Sequence, residues 1–186
     1  MMSTVHAPTV EVRVWDPFVR LFHWLLVAGV SANLFVLEEG DPPHRWVGYV
    51  ATALVLARIV WGFIGTHHAR FADFWPTRRR LRAHLARLRA HQADPSPGHN
   101  PMGALMMLAL MALVLALGFT GWLMGTDAYW GEEWLESLHE GLANTLMGLA
   151  GMHVLAAVVM SRLERVNLVR AMITGVKRYP ANRTPH

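Results

Sequence analysis

The stretch His139-Glu-Gly-Leu-Ala-Asn-Thr-Leu-Met-Gly-Leu-Ala-Gly-Met-His153, running on through Val-Leu-Ala-Ala-Val-Val-Met160, decides how this chain folds. It is an apolar run with a histidine at its lip and a second one inside it. At about 100° per residue, the fourteen steps from His139 to His153 end about 40° short of four full turns. At about 1.5 Å per residue the two rings share one helix face roughly 21 Å apart. That separation is most of the roughly 30 Å depth of a bilayer's hydrocarbon core. Two rings in register, one near each membrane surface, ask for two opposing partners from elsewhere in the chain.

Composition supports a membrane setting. The 186 residues are 53% hydrophobic and only 16% charged, with a positive mean hydropathy of +0.26. A soluble domain of that length needs more polar surface. Four apolar runs, at about 18–37, 46–65, 102–125 and 141–160, are each long enough to cross. The polar residues 1–13 show no cleavable signal pattern. The expected fold is therefore all-α: one membrane domain over residues 1–186, a four-transmembrane-helix bundle with added cytoplasmic surface helices.

The chain has no cysteine. This excludes disulfides, thiolate metal sites, iron–sulfur ligation and covalent c-type haem attachment. The sequence pI near 10.3 suggests nucleic acid at first sight, but the placement of charge argues otherwise. Thirteen of the seventeen Lys and Arg fall in the connection 66–100 and the tail 161–186. The other two connections are acidic, with Glu38, Glu39 and Asp41 in one and Asp127, Glu132, Glu133 and Glu136 in the other. Basic flanks stay on the cytoplasmic side. Both termini and the 66–100 connection are thus expected in the cytoplasm of a bacterial inner membrane, with the basic charge meeting anionic lipid rather than nucleic acid.

Along the chain, residues 1–17 carry little pattern until Val12-Arg-Val-Trp15-Asp-Pro17, where Trp15 suits the interface and Pro17 a helix first turn. Arg20 and His23 follow, three apart and so on one face. Asp41-Pro-Pro43 punctuates the start of the second span, which places His44 and Arg45 at its outer end. Arg58 comes fourteen residues after His44, repeating the spacing of His139 and His153. Leu81, Leu85 and Leu88, set among arginines, mark an amphipathic surface helix, and residues 162–178 an amphipathic tail.

Four histidines lie in or at the ends of spans, and topology sorts them by depth. His23 and His153 fall toward the cytoplasmic end, His44 and His139 at the outer end. Facing imidazoles on different helices are what a six-coordinate haem b requires, so the pairs His23/His153 and His44/His139 imply two non-covalent haems in the bundle core. The plainer alternative for any one of them is a hydrogen-bonded core histidine. Leaving four such groups unpaired in lipid is costly, which favours ligation.

Arg58 is too deep to snorkel easily, and no other span has a carboxylate at its level, so a haem propionate is its expected partner. Arg20 and Arg45 are candidates for the same role, with interfacial anchoring as the alternative. His67, His68, His84, His91, His99, His6 and His186 fit neither pair. Met147 and Met152 border the haem faces and are read as packing residues. Gly48, Gly118, Gly148 and Gly151 suit either a porphyrin's approach or helix–helix contact.

Five stretches together resemble the bacterial cytochrome b561 family, which includes the cytochrome b subunits of nickel–iron hydrogenases. They are Val14-Trp-Asp-Pro…Arg20-Leu-Phe-His23-Trp, His44-Arg-Trp-Val-Gly48-Tyr, Arg58-Ile-Val-Trp-Gly-Phe-Ile-Gly65, His99-Asn-Pro-Met-Gly103 and His139-Glu…Leu-Ala-Asn144…His153-Val. The resemblance runs from about residue 12 to 178. It implies a four-helix inner-membrane protein with two haems b, exchanging electrons with quinone, and it assigns the axial positions to His23, His44, His139 and His153.

The leading expectation is a transmembrane electron carrier between the quinone pool and a periplasmic redox partner or small oxidant, with the acidic outer connections suited to a basic c-type cytochrome. Three alternatives stand beside it: a self-sufficient superoxide- or quinone-linked oxidoreductase, the membrane anchor of a hydrogenase or other respiratory enzyme, and, in a different class, a non-redox transporter or metal channel.

Overall fold

The computed structural model describes residues 9–90, 92 and 96–180, and His6, His91 and His186 lie outside them. Strand β1 (Thr9–Arg13) precedes helix α1 (Pro17–Phe35). Asp16 starts that helix by accepting a hydrogen bond from Val19 N at 2.8 Å, and Pro17 supplies a first turn that needs no donor. Helix α2 (Pro42–Ile64) likewise opens on two prolines and stops at Gly65.

A 3₁₀ turn at His67–Ala69, the short α3 (Phe71–Phe74) and α4 (Arg78–Arg89) form the basic connection. Asn100 then caps α5 (Pro101–Met124) through Gly103 N at 2.7 Å. Helix α6 (Glu133–Glu164), α7 (Leu168–Thr174) and strand β2 (Val176–Pro180) complete the chain.

Helices α1, α2, α5 and α6 are long and apolar enough to cross a membrane. They follow the expected spans, except that α6 begins eight residues earlier than 141, so His139 lies well inside it. Its first turn carries Glu133 and Glu136, which suit the positive end of the helix dipole.

Packing runs from α1 to α2, from α2 to α5 and from α5 to α6. Phe22, Ala51, Val55, Met111, Val114 and Leu146 form the buried centre where the four helices meet. Gly118 belongs to helix contact rather than to a flat ligand: a Cβ there would run into the Thr52 side chain on α2. Gly148 and Gly151 instead face open space.

The end carrying the basic connection closes differently from the expectation. Val14, Trp15, Val19, Ala69 and Ala171 make a second buried cluster. The tail does not continue as one amphipathic helix. After Glu164 the chain turns through Arg165, at φ 55, into α7. Strand β2 then pairs antiparallel with β1, Thr9 opposite Pro180 and Arg13 opposite Val176.

Val14 N and Trp15 N both donate to Gly175 O, at 2.9 and 3.1 Å. Gly175 is held at φ 84, and a Cβ there would strike the Trp15 carbonyl, so this junction needs glycine. The fold is a four-helix bundle in which β1 and β2 are stitched together at its basic end.

Candidate functional site

The structure brings the four span histidines together in two pairs. His23 on α1 faces His153 on α6 with ring centroids 6.5 Å apart, and His44 on α2 faces His139 on α6 with the same 6.5 Å separation. These distances test whether a metal-centred group fits. An imidazole nitrogen binds a transition metal at about 2.0 Å. With each ring centre about 1.2 Å behind its nitrogen, two rings on opposite sides of one ion have centres roughly 6.4 Å apart. Both gaps match that spacing, and both are too wide for direct hydrogen bonding between the rings.

The side chains around the rings fit ligation as well. His139 Nδ1 lies 2.7 Å from Thr120 Oγ1 on α5. That hydroxyl also lies 2.9 and 3.2 Å from the α5 carbonyls of Ala116 and Leu117; when its single proton goes to either of them, it accepts from the ring. In that arrangement the proton sits on Nδ1, and the Nε2 lone pair is left for a metal. Gly121, one turn of α5 beside it, leaves room for the ring edge: a Cβ there would sit 3.4 Å from His139 Cε1.

Asn33 of α1 donates to the His44 carbonyl at 3.1 Å and so ties the start of α2 to the neighbouring helix. Nδ1 of His23 and of His44 are buried with no hydrogen-bond partner. Such orphaned polar atoms are uncommon in a finished interior.

The arginines divide. Arg58 is 1% exposed, donates through Nη2 to Ala69 O at 3.0 Å and lies over the Phe71 ring, while its Nη1 is buried without a partner. The sequence offered no carboxylate at its level within a span. The folded chain does bring one within electrostatic reach, Asp16 at the mouth of α1. Asp16 is heavily engaged, accepting from Val19 N, from Trp61 Nε1 at 3.0 Å and from Thr66 Oγ1 at 2.6 Å. Burial by itself raises its carboxyl pKa, but the bonds from Thr66, Trp61, Val19 and Phe18 outweigh that and hold it below the usual range.

Arg20 reaches Thr174 O at 3.0 Å and so joins α1 to the end of α7. Arg45 lies against Gly125 at the C-terminal end of α5, where its charge suits the helix dipole.

Two residues of the site were passed over in the sequence. Thr120 reads there as one more small residue of an apolar span. His99 reads as part of a polar connection, yet it packs between Trp15 and Phe74, at 4.7 and 4.9 Å between ring centroids. The Asn100-Pro101 helix start was the available signal for His99, because it puts the residue at the mouth of the bundle. His67 and His68 turn to the Asp73 carboxylate, at 3.5 and 3.0 Å, rather than to either gap.

Residues 14–175 match the family model described as prokaryotic cytochrome b561. The chain belongs to that family. A probable Ni/Fe-hydrogenase B-type cytochrome subunit of Bradyrhizobium diazoefficiens is 24% identical to it, over 94% of this chain and 88% of the relative. A protein of the same description from Azotobacter vinelandii is also 24% identical, over 68% of this chain and 65% of its own length. No solved structure gives a significant match.

Membership of the cytochrome b561 family, with four helices fit to cross a membrane, makes this a membrane b-type cytochrome of electron transport that uses haem b. The recurrence of 6.5 Å at both histidine pairs is the geometry of this structure that accords with such a group.

Proposed function

We propose that this cytochrome holds two haems b, one between His23 and His153 and one between His44 and His139, and moves electrons across the membrane between a quinone and a partner on the far side. The observation that supports it most is the shared 6.5 Å ring separation at two levels of one bundle. An iron held by two imidazoles has no open position, which favours one-electron transfer over oxygen activation.

The chain's own residues do the rest. Thr120 fixes the tautomer of His139. His139 and His153 hold the two levels roughly 21 Å apart on one rigid helix. The basic end lies in the cytoplasm on the charge argument, and the acidic end faces out. An electron crossing the whole membrane then works with or against the potential by about 2.3 kcal/mol per 100 mV.

The relatives favour a second reading of the same site, as the membrane subunit of a respiratory enzyme. Their printed description is of hydrogenase cytochrome subunits. Both readings need the same two haems and differ only in the partner at the acidic end.

One experiment separates these from the non-redox alternatives. The protein is purified from haem-supplied cells, a reduced-minus-oxidised spectrum is taken, and a quinol is then added to the oxidised sample. The proposal expects a haem b α-band and its appearance on quinol addition without a partner protein. A sample with no haem b band contradicts the haem assignment, and a band that quinol leaves unchanged contradicts the quinone link alone. Co-purification from native membranes then distinguishes a free-standing carrier from a subunit.

A further inference from the structure

Beside the His23/His153 pair, three basic side chains from three parts of the chain converge around the Trp15, Phe71 and Phe74 rings. Arg58 enters from α2, 1% exposed, with Nη2 on Ala69 O and Nη1 unpartnered. His99 enters from the turn before α5, packed between Trp15 and Phe74, and its Nδ1 is buried and, like Arg58 Nη1, without a partner among the described residues. Lys177 comes from β2, 5% exposed, donating to Gly98 O at 3.1 Å with its ammonium 5.9 Å from the Trp15 ring centre.

His99 lies within electrostatic reach of Arg58, Lys177, His153 and His23 together, so this cluster adjoins the histidine gap. Burial first, and the neighbouring charges of Arg58 and Lys177 second, push its pKa down to about 3.

A buried guanidinium N–H and a buried imidazole nitrogen, both without a partner among the described residues, lie together beside the Lys177 ammonium. Each unmet buried donor costs about 1–3 kcal/mol, more where the group is charged. Asp16 brings negative charge near Arg58 but already accepts three hydrogen bonds of its own. An acceptor with two oxygens and a negative charge satisfies both donors at once, and a carboxylate is that acceptor.

We propose that Arg58 and His99, with Lys177 adding positive charge behind Trp15, form the binding pocket for the propionate carboxylates of the haem held by His23 and His153. This rests on the two-haem reading and deepens it. It assigns His99 and Lys177 a role in the site and makes the two cofactors inequivalent, since the pocket exists at the basic end. A carboxylate there selects the Nδ1–H tautomer of His99. Positive charge beside the propionates favours the reduced iron, so this haem takes electrons more readily than its own ligands alone would dictate.

The test is spectroscopic potentiometry of the purified holoprotein, which resolves the two haems by their separate disappearance in His153→Ala and His139→Ala. His99→Phe keeps a ring between Trp15 and Phe74 but removes the donor. His99→Asn restores a donor near the position of Nδ1, and Arg58→Gln removes the charge.

Arg58→Gln is expected to lower the midpoint of the haem that His153→Ala removes by at least tenfold in its reduction equilibrium, about 59 mV for one electron. His99→Phe is expected to lower it by less and to make it pH-dependent in the neutral range, with His99→Asn recovering the original value. The other haem is expected to be unchanged throughout. If Arg58→Gln does not accumulate, the His99 pair decides.

Two-haem loading with both midpoints and their pH dependence unmoved in His99→Phe overturns the pocket assignment while leaving the two-haem reading intact. Unmoved midpoints with quinol reduction lost also overturn it, in favour of a neutral carbonyl ligand. A wild-type protein with one haem or none overturns the reading beneath it.

Discussion

Thr120 Oγ1 and His139 Nδ1 are 2.7 Å apart, a contact between two adjacent helices that sets the orientation of an imidazole facing His44. When the hydroxyl proton goes to an α5 carbonyl, Thr120 Oγ1 is the acceptor for the ring N–H. Thr120→Val keeps the shape and deletes the acceptor. The expected outcome is weaker retention of the haem at the acidic end, by about 10–100-fold, the usual cost of losing a partner behind a ligand. Haem retained against competition by apomyoglobin measures it, and the haem at the basic end is expected to stay.

Single substitutions of the four histidines have a paired signature. His23→Ala and His153→Ala are expected to leave the same residual spectrum, and His44→Ala and His139→Ala to leave the other one. Low-temperature optical spectra of the four purified variants check this. Four different residual spectra contradict the pairing.

Asp16 joins three elements by one carboxylate: the first turn of α1, Trp61 of α2 and Thr66 beyond it. Asp16→Asn keeps an oxygen that can cap α1 but loses the charge that the three donors share, and is expected to destabilise the fold by about 1 kcal/mol, the difference between a hydrogen bond to a charged and to a neutral acceptor. The pH dependence has a fixed sign. Its folded pKa lies below the ordinary value of 3.8, so the stabilisation is complete above 3.8 and is lost as pH falls through the folded value. Thermal melts of wild type and variant in detergent are expected to differ by a constant amount from neutral pH down to about pH 4, and to converge as the pH falls further.

Gly118→Ala puts a methyl group into the Thr52 side chain at the α2–α5 contact. Overpacking of this kind costs about 1–3 kcal/mol. The double variant Gly118→Ala, Thr52→Ala is expected to regain part of that loss, because the two residues share one contact. Melting temperatures of the single and double variants check the coupling.

Much of this arrangement can be read directly from the amino-acid order. His139 and His153 share a face because helix geometry says so, and charge asymmetry is enough to sort His23, His44, His139 and His153 by depth. Helix periodicity and proline starts place the four long helices to within a few residues, apart from the early start of α6. What escapes are the contacts made across the chain. The pairing of Thr9–Arg13 with Val176–Pro180 joins segments at opposite ends of the sequence, and no local pattern announces it. His99 lies in a polar stretch and becomes part of a pocket only when Trp15 and Phe74 close on either side. Arg58 reveals its depth in sequence, but not that Ala69 O and the Asp16 charge meet it from outside its own helix.

The claim on which everything else depends is that the two 6.5 Å gaps each hold one haem. Haem per polypeptide in the purified protein, from the pyridine haemochrome spectrum against quantitative amino-acid analysis, tests it most directly. The account predicts about two haems b per chain in the wild type and about one in His153→Ala, as expected for bis-histidine sites built independently at two levels. One haem per chain in the wild type, or two retained in His153→Ala, contradicts it.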